Sequence, residues 1–226
     1  MGVQNPVIVI PGITATSLVD DYPLKADEIW TMVFNKQYDR VALHPDDMRY
    51  EAVEPAHVVA GQLFPIYNDL IKALRHELSP RADQPTPVFA FPYDWRMDVG
   101  ATADRLGAFV DEVIARTKLL RHYAGADDLK VDLVGHSMGG VIGQILATRV
   151  PDRVTAFLNV EGNVSEGDCH YSRHTDGVDL GVWTATTFDA LVEDVHRLGV
   201  DDPAHATYSA SLRLCDPRAF HRNGQE

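Results

Sequence analysis

The stretch VDLVGHSMGG, at positions 131–140, decides the fold class of this chain. Val131–Val134 is short and mostly apolar, which is typical of a strand buried in a parallel sheet. Gly135–Gly139 match the pattern G-x-S-x-G, and Val141–Arg149 beyond them is predicted to be a helix. A strand, this pattern and a helix in succession indicate that Ser137 is a nucleophile on a sharp turn.

The residue types of this turn fit that chemistry. Gly135 and Gly139 remove side chains that would clash with the neighbouring strand and helix, so the hydroxyl of Ser137 would stand above the carboxyl edge of the sheet. The N–H of Met138, at a helix N-terminus, would point to the same place and stabilise an oxyanion. By the same geometry, His136 is expected to point away from the reaction. The alternative is a glycine-rich turn in which the serine hydroxyl makes only structural hydrogen bonds.

A second oxyanion donor is expected in the loop after the first predicted strand, Val7–Ile10. Gly12 would let this loop approach closely, and the N–H of either Ile13 or Thr14 could face the hydroxyl of Ser137. A plain turn that ends a strand is the alternative.

The remaining periodic segments alternate between strands and helices. The further predicted strands are Val88–Phe91 and Thr155–Val160, with Val178–Ala185 as a weaker candidate, and the further predicted helices are Pro65–Leu78, 102–121, Phe188–Leu198 and Pro203–Leu214. This alternation predicts an α/β fold with a mostly parallel sheet flanked by helices. We expect a core at residues 1–162, which includes an irregular excursion at 14–62, and a helical, lid-like segment at 163–226.

Composition excludes several classes of function. Lys and Arg number 20 against 33 Asp and Glu, and the net charge of −13 opposes binding to nucleic acid or adsorption to an anionic membrane. The two cysteines, Cys169 and Cys215, indicate a reduced compartment. No stretch approaches the roughly 20 apolar residues of a membrane span, so we expect a cytoplasmic protein without stable membrane insertion. No glycine-rich phosphate-binding motif occurs, and we expect no cofactor.

Four stretches carry a resemblance to a known family: Val7–Ile13, Glu28–Trp30, Phe91–Arg96 and Gly135–Gly140. The arrangement as a whole resembles the α/β-hydrolase fold, and the first 140 residues resemble the lecithin:cholesterol acyltransferase family. The resemblance implies an esterase, phospholipase or acyltransferase that acts on lipid esters. After the serine, Asn159–Asn163 is more similar to a different group of small α/β-hydrolases.

The resemblance also implies roles for single residues. Ser137 matches the family nucleophile. The residue after the Pro-Gly pair that ends the first strand supplies an oxyanion N–H, which favours Ile13 over Thr14. Trp30 falls where the family has a lid-loop tryptophan near the acyl site.

The other members of a catalytic triad follow the serine in this fold, in the order acid and then histidine. Only 89 residues follow Ser137, and we expect the chain to stop before the strands that usually carry both groups, which makes the fold incomplete at its C-terminal end. Glu161, at the end of a predicted strand, is the best candidate acid, and a structural loop carboxylate is the alternative. The candidate bases are His170, His174, His196, His205 and His221.

One polar segment has a metal-binding interpretation as its alternative. Asp168, Cys169, His170 and His174 are close in sequence, and histidines four residues apart can share a helix face. The flanking glycines favour a polar loop over a helix, so we expect no metal site there.

The sequence therefore predicts a serine-dependent carboxylic-ester hydrolase or O-acyltransferase that works through an acyl-enzyme on Ser137. An apolar lid region, formed by Trp30–Phe34 and residues 183–214, would select the acyl chain of a small ester or lipid substrate. A thioesterase would share the same site. The alternative is a catalytically incomplete hydrolase-like domain that acts as a binding module. An unpaired sheet edge at 155–160 would recruit a second copy of the chain or lower its solubility.

Overall fold

The computed structural model describes residues 3–22, 25–32, 36–44, 46–53, 55–165, 167–213 and 215–225. The chain forms two compact units. The first consists of Met1–Gln37, Pro55–Trp95 and Val99–Val164, and the second of Tyr38–Glu54, Arg96–Asp98 and Ser165–Glu226. Phe34, part of the expected lid region, lies outside the described residues. The division into a core and a lid-like segment at residue 162 stays a prediction.

The strands of the described residues all lie in the first unit. They are β1 (Val7–Ile10), β2 (Thr16–Asp20), β3 (Asp27–Trp30), β4 (Val58–Leu63), β5 (Val88–Ala90), β6 (Val131–His136) and β7 (Val154–Val160). Four strands form a parallel sheet in the order β5-β1-β6-β7. The other three form an antiparallel sheet in the order β3-β2-β4.

Helices pack on both faces of the parallel sheet. The α-helices of the described residues are α1 (Tyr38–Val41), α2 (Asn68–Leu78), α3 (Val99–Lys118), α4 (Met138–Arg149), α5 (Leu180–Val182), α6 (Phe188–Leu198), α7 (Pro203–Leu212) and α8 (Pro217–Gln225). Ile8 and Ile10 pack in one cluster with α3 and α4, whereas Val7 and Val9 pack in another with α2. The predicted α/β class, a mostly parallel sheet flanked by helices, is confirmed. In the part of the chain that the structure describes, no helix combines the length and apolar composition needed to cross a membrane.

The register of β1 against β6 decides where two loops leave the sheet. β1 is fully buried and pairs in parallel with β5 on one side and β6 on the other. A strand buried in this way must be apolar on both faces, which explains its run of Val and Ile. Ile10 lies opposite Gly135, so the loop after β1 and the turn after β6 leave the same edge side by side.

The connections between strands diverge on the two sides of the β1–β6 pair. From β1 the chain crosses to β5 on one side, then returns past β1 to β6 and continues to β7. Adjacent strands whose connections diverge leave a crevice at their carboxyl ends, where open α/β sheets bind ligands. The topology therefore predicts a ligand-binding crevice at the residues that follow β1 and β6.

Two segments differ from the expectation. The excursion at 14–62 holds β2, β3 and β4, which are too short and too mixed in polarity to show an alternating pattern. Val178–Ala185, the weaker strand candidate, is helical: it holds α5 and the start of a π-helical turn, Trp183–Thr187. The physical reason is Asp179, whose carboxylate accepts two backbone N–H groups and so caps the N-terminus of α5.

The second unit is helical in its C-terminal part and has a core of its own. Trp183 is fully buried there among apolar residues of α6 and α7, and its indole Nε1 donates to the carbonyl of Pro217 at 2.7 Å. Arg96 and Glu51 form a buried ion pair at 3.1 Å in the same unit. Paired in this way, the two charges avoid the large cost of a single buried charge.

The outer strand β7 exposes apolar side chains on the edge of the parallel sheet. Leu158 is 57% exposed, and Val160, two residues further on the same face, is exposed as well. Edge strands of this kind pair with other chains unless a charge blocks them. In size-exclusion chromatography with light scattering, we expect the apparent mass to rise with protein concentration and Leu158→Lys to suppress the rise.

The matched control for this experiment is Leu119→Lys. Leu119 is a leucine 84% exposed in the turn after α3, away from the sheet edge, so a lysine there should leave the rise in mass unchanged. A wild-type protein whose mass stays monomeric at every concentration would contradict the prediction.

Candidate active site

Ser137 has a strained backbone at the turn between β6 and α4. Its φ of 53° and ψ of −127° lie where residues with a Cβ are rarely found. Two backbone hydrogen bonds of 2.8 Å hold it: its N–H donates to the carbonyl of Val160, and its own carbonyl accepts from the N–H of Gly140. Strain of this kind persists where the surroundings fix it, and it clusters at functional sites.

This turn requires glycines because the backbone at Gly135 and Gly139 lies in direct contact with other backbone atoms. A Cβ on Gly135 would lie 2.5 Å from the carbonyl oxygen of Gly139. A Cβ on Gly139 would lie 2.8 Å from the carbonyl carbon of Ile10 and nearer still to the oxygens of Ile10 and Pro11. No change of side-chain rotamer relieves such contacts, so the start of α4 is held against the end of β1.

The side chain of Ser137 is half-buried and lines a pocket of about 280 Å³. Its Oγ makes no hydrogen bond to another residue within the described ranges. The hydroxyl is thus available to a ligand in that pocket.

The loop after β1 runs directly beside the serine. A Cβ on Gly12 would lie 3.1 Å from the Cβ of Ser137, which measures how closely the two segments approach. The N–H of Gly12 already donates to the hydroxyl of Tyr67 at 2.9 Å. Thr14, two residues further, has a φ of 60°. Ile13 lies between them and stays the predicted second oxyanion donor.

Met138 is the first residue of α4, a helix of 12 residues. The N–H groups in the first turn of a helix have no partner within the helix, and the helix dipole adds a positive potential there. The side chain of Met138 packs against the buried core, which fixes the position of its backbone. Its N–H therefore has the setting that an oxyanion donor requires.

Trp30 forms part of the pocket wall beside Ser137. Its ring packs against Trp95 with 4.8 Å between centroids, and its Nε1 donates to the carbonyl of Thr14 at 3.3 Å. The ammonium of Lys36 lies 4.9 Å from the ring centroid, a cation–π contact. These contacts fix an apolar wall next to the serine.

His136 lines the same pocket, although the geometry of the turn predicts that it points away. Its Nδ1 lies 2.8 Å from the hydroxyl of Tyr67, and its Nε2 lies 3.7 Å from a carboxylate oxygen of Glu161. Tyr67 is a polar residue of this pocket that sequence reasoning missed. It follows Ile66 at the start of a predicted helix, and no local pattern distinguishes it from a surface tyrosine.

Glu161 follows β7 on a tight turn with a φ of 59°. Asn159 closes this turn: its side chain accepts the N–H of Gly162 at 3.0 Å and donates to the carbonyl of Gly162 at 3.1 Å. The carboxylate of Glu161 is 80% exposed. Glu161 lies at the carboxyl end of β7, the strand that pairs with β6. Because its carboxylate is exposed, it can contact solvent or a ligand.

The five candidate base histidines all lie in the second unit. His205 has its Nδ1 2.6 Å from a carboxylate oxygen of Asp202, and the Nε2 of His221 lies 2.7 Å from the carbonyl of Val178. Asp168 accepts two hydrogen bonds from within its own loop. Over the described residues, no three His, Cys, Asp or Glu side chains come together as a metal site.

No family model and no curated protein matches the sequence. A solved structure named "Marine microorganism esterase" matches 99% of this chain and 69% of that chain, with 13% identity and a TM-score of 0.32. At that TM-score the likeness carries no argument, and the resemblance to the lecithin:cholesterol acyltransferase family stays a prediction.

The contact at Gly139 predicts a large effect of a single methyl group. Gly139→Ala should lower the free energy of unfolding by roughly 2–3 kcal/mol, because backbone has to move to admit the Cβ. In a protein of this size that is a drop of several degrees in Tm, which a thermal unfolding curve measures.

Gly107→Ala in α3 is the control. Its Cβ would make only an ordinary contact, 3.4 Å from a methyl group of Leu146, and alanine is a better helix former than glycine. We expect Gly107→Ala to be as stable as the wild type or more stable. Equal Tm values for the two variants would contradict the close contact of α4 with β1.

Proposed function

We propose that this chain is a serine-dependent carboxylic-ester hydrolase or O-acyltransferase of the α/β-hydrolase type, with Ser137 as its nucleophile. The observation that supports the proposal best is the strained turn at Ser137, which presents a hydroxyl to an apolar pocket. Glycine would adopt a positive φ without strain, so a serine at that position suggests that the hydroxyl is needed. The turn also lies at the crevice where the connections between strands diverge.

In the proposed reaction, the Oγ of Ser137 attacks the carbonyl carbon of an ester. The carbonyl oxygen becomes an oxyanion, which accepts hydrogen bonds from the N–H groups of Ile13 and Met138. The bond from the carbonyl carbon to the alcohol oxygen then breaks, and the alcohol leaves with the proton that the serine gave up. Water that attacks the remaining acyl-enzyme completes hydrolysis, and a second alcohol that attacks it completes acyl transfer.

The serine needs a base to accept its proton, and an acid orients that base. We propose Glu161 as the acid because it follows β7, the strand paired with β6, and its carboxylate is exposed at the carboxyl end of that strand. It lies 3.7 Å from Nε2 of His136. In His136 the Nδ1 lies 2.8 Å from the hydroxyl of Tyr67. If Nδ1 accepts that proton, Nε2 carries the ring hydrogen and has no lone pair for the proton of Ser137, so His136 is a poor base. The candidate bases that the sequence names, which are His170, His174, His196, His205 and His221, stay a prediction.

The pocket favours an acyl chain as the part of the substrate bound next to Ser137. Its wall is mainly apolar and includes Trp30, and its volume is about 280 Å³. Each buried methylene contributes about 0.8 kcal/mol, so chains that fill the pocket should be preferred over acetate. Lipid esters, which the family resemblance implies, and acyl thioesters both offer such a chain.

A fluorophosphonate probe tests the nucleophile directly, since it captures an activated serine as a stable adduct. The wild-type protein should be labelled at Ser137, and Ser137→Ala should lose the label. Ser165→Ala, which removes an exposed hydroxyl bonded to Asp168 in the second unit, should keep it. Folded wild-type protein without a label, or a label that persists in Ser137→Ala, would contradict the proposal.

A neutral isostere tests the proposed acid. Glu161→Gln should lower kcat for a p-nitrophenyl ester by about a hundredfold or more, because the base loses the charge that orients it. The matched control is Glu77→Gln, since Glu77 is another exposed carboxylate beside a histidine ring, 3.0 Å from Nδ1 of His76. Equal kcat values in the two variants would remove Glu161 from the triad.

A catalytically incomplete domain that binds a partner is the second candidate function. The exposed apolar edge of β7 favours it, because an unpaired strand can add a strand from another chain. Turnover of a p-nitrophenyl ester separates the two: a rate that is equal in wild type and Ser137→Ala would favour the binding module.

A further inference from the structure

The peptide bond between Pro11 and Gly12 is held at both ends by tyrosine hydroxyls. The hydroxyl of Tyr93 donates to the carbonyl oxygen of Pro11 at 3.0 Å, and the N–H of Gly12 donates to the hydroxyl of Tyr67 at 2.9 Å. Both hydrogen bonds are buried, and the two tyrosines are only 1% and 6% exposed. One peptide plane is therefore fixed by two side chains that come from distant parts of the chain.

Tyr67 also ties this peptide to the turn that carries the serine. Its oxygen lies 2.8 Å from Nδ1 of His136. Because that oxygen accepts the N–H of Gly12, its own proton is available to Nδ1. His136 directly precedes Ser137, so a single phenol links the loop after β1 to the turn after β6.

Both phenols stay protonated at neutral pH. Burial raises the pKa of Tyr67, and the hydrogen bond from Gly12 offsets only part of that rise. Burial also raises the pKa of Tyr93, and the nearby Tyr67 adds to the effect. A neutral phenol has the proton that the Pro11 carbonyl and the His136 ring require.

We call the two hydrogen bonds of Tyr67 and Tyr93 to this peptide the tyrosine clamp. Gly12 explains why the clamp is needed. A Cβ on this residue would lie 3.0 Å from Nδ1 of His136 and 3.1 Å from the Cβ of Ser137, so only glycine fits without displacement. Glycine has the widest backbone freedom of any residue, and the amide that follows it is the N–H of Ile13. Fixing the peptide on one side of Gly12 therefore limits the directions in which the next N–H can point.

We propose that Tyr67 and Tyr93 are positioning residues that hold the N–H of Ile13 in the direction of the oxyanion. The proposal rests on the proposed function, since it gives the pair a role in the reaction of Ser137. Neither tyrosine touches the reacting atoms in this role. Both act through the peptide between Pro11 and Gly12.

A purely structural role predicts a different outcome. Buried tyrosine hydroxyls need a hydrogen-bond partner for stability alone. Loss of a structural bond lowers the amount of folded protein and reduces the turnover of every substrate equally. Displacement of an oxyanion donor instead slows substrates in proportion to how strongly their carbonyl atom accepts hydrogen bonds.

The test compares an ester with its thionoester, in which a weakly accepting sulfur replaces the carbonyl oxygen. Tyr67→Phe and Tyr93→Phe should each lower kcat for the ester about tenfold, less than the hundredfold or more that follows removal of an oxyanion donor. KM should stay close to the wild-type value. The value of kcat for the thionoester should fall much less, so the ratio of ester turnover to thionoester turnover should be lower than in the wild type.

Tyr123→Phe is the matched control. Tyr123 is 2% exposed, and its hydroxyl donates to the carbonyl of Gln4 at 2.7 Å. This variant also removes a buried phenol that is bonded to a backbone carbonyl, but at a different place in the fold. Its ratio of ester to thionoester turnover should equal that of the wild type.

Amide hydrogen exchange measured by NMR gives a readout that does not depend on activity. Exchange at Gly12 should be about tenfold faster in Tyr67→Phe, since one hydrogen bond protects that amide, and unchanged in Tyr123→Phe. An unchanged turnover ratio, or unchanged exchange at Gly12, would overturn the proposal. If wild-type protein has no turnover that depends on Ser137, the proposed function and the positioning role both fail, and exchange at Gly12 decides whether the clamp exists.

Discussion

The contact between Gly139 and the end of β1 is the constraint on which the site depends. Since a residue without a Cβ stands there, α4 can begin against the carbonyl groups of Ile10 and Pro11. The chain between β6 and α4 then has room for only one residue, Ser137, which takes a φ of 53° to connect them. The same contact brings the first amides of α4 level with the loop after β1, where Gly12 lies. Nucleophile, helix terminus and loop are thus arranged by one point of backbone packing.

Backbone strain gathers at a single edge of the parallel sheet. The described residues with a positive φ that are not glycine are Thr14, Ser137 and Glu161, and they follow β1, β6 and β7 respectively. Each such residue costs of order 1–3 kcal/mol, so the surroundings have to hold them. They can do so because β1 is fully buried between two apolar clusters and cannot shift without exposing both. The stability of the sheet therefore maintains the strain at its edge.

The sequence predicted those features that a local pattern determines. β1 was predictable because a strand buried on both faces must be an apolar run, and β6 because its apolar residues around Asp132 lead into the turn at Ser137, whose glycines have fixed spacing. β2 to β4 were not, since their polarity is mixed and their pairing decides their conformation. The partnership of Tyr67 with Gly12 and His136 joins residues 55 and 69 positions apart. Contacts of that range arise from the tertiary fold, which no short motif specifies.

The pairing of β1 also bears on how the protein is made. Val7 pairs with Val88 on one side and with Asp132 on the other, so its neighbours are translated long after it. At about 5–20 residues per second, the ribosome adds β6 roughly 6–24 s after β1. Until β5 is made, the apolar β1 has no strand to pair with, and the edge that later pairs with β6 stays open for the whole interval; chaperones capture such segments. The yield in a cell should then depend on the supply of chaperones as well as on the stability of the finished sheet.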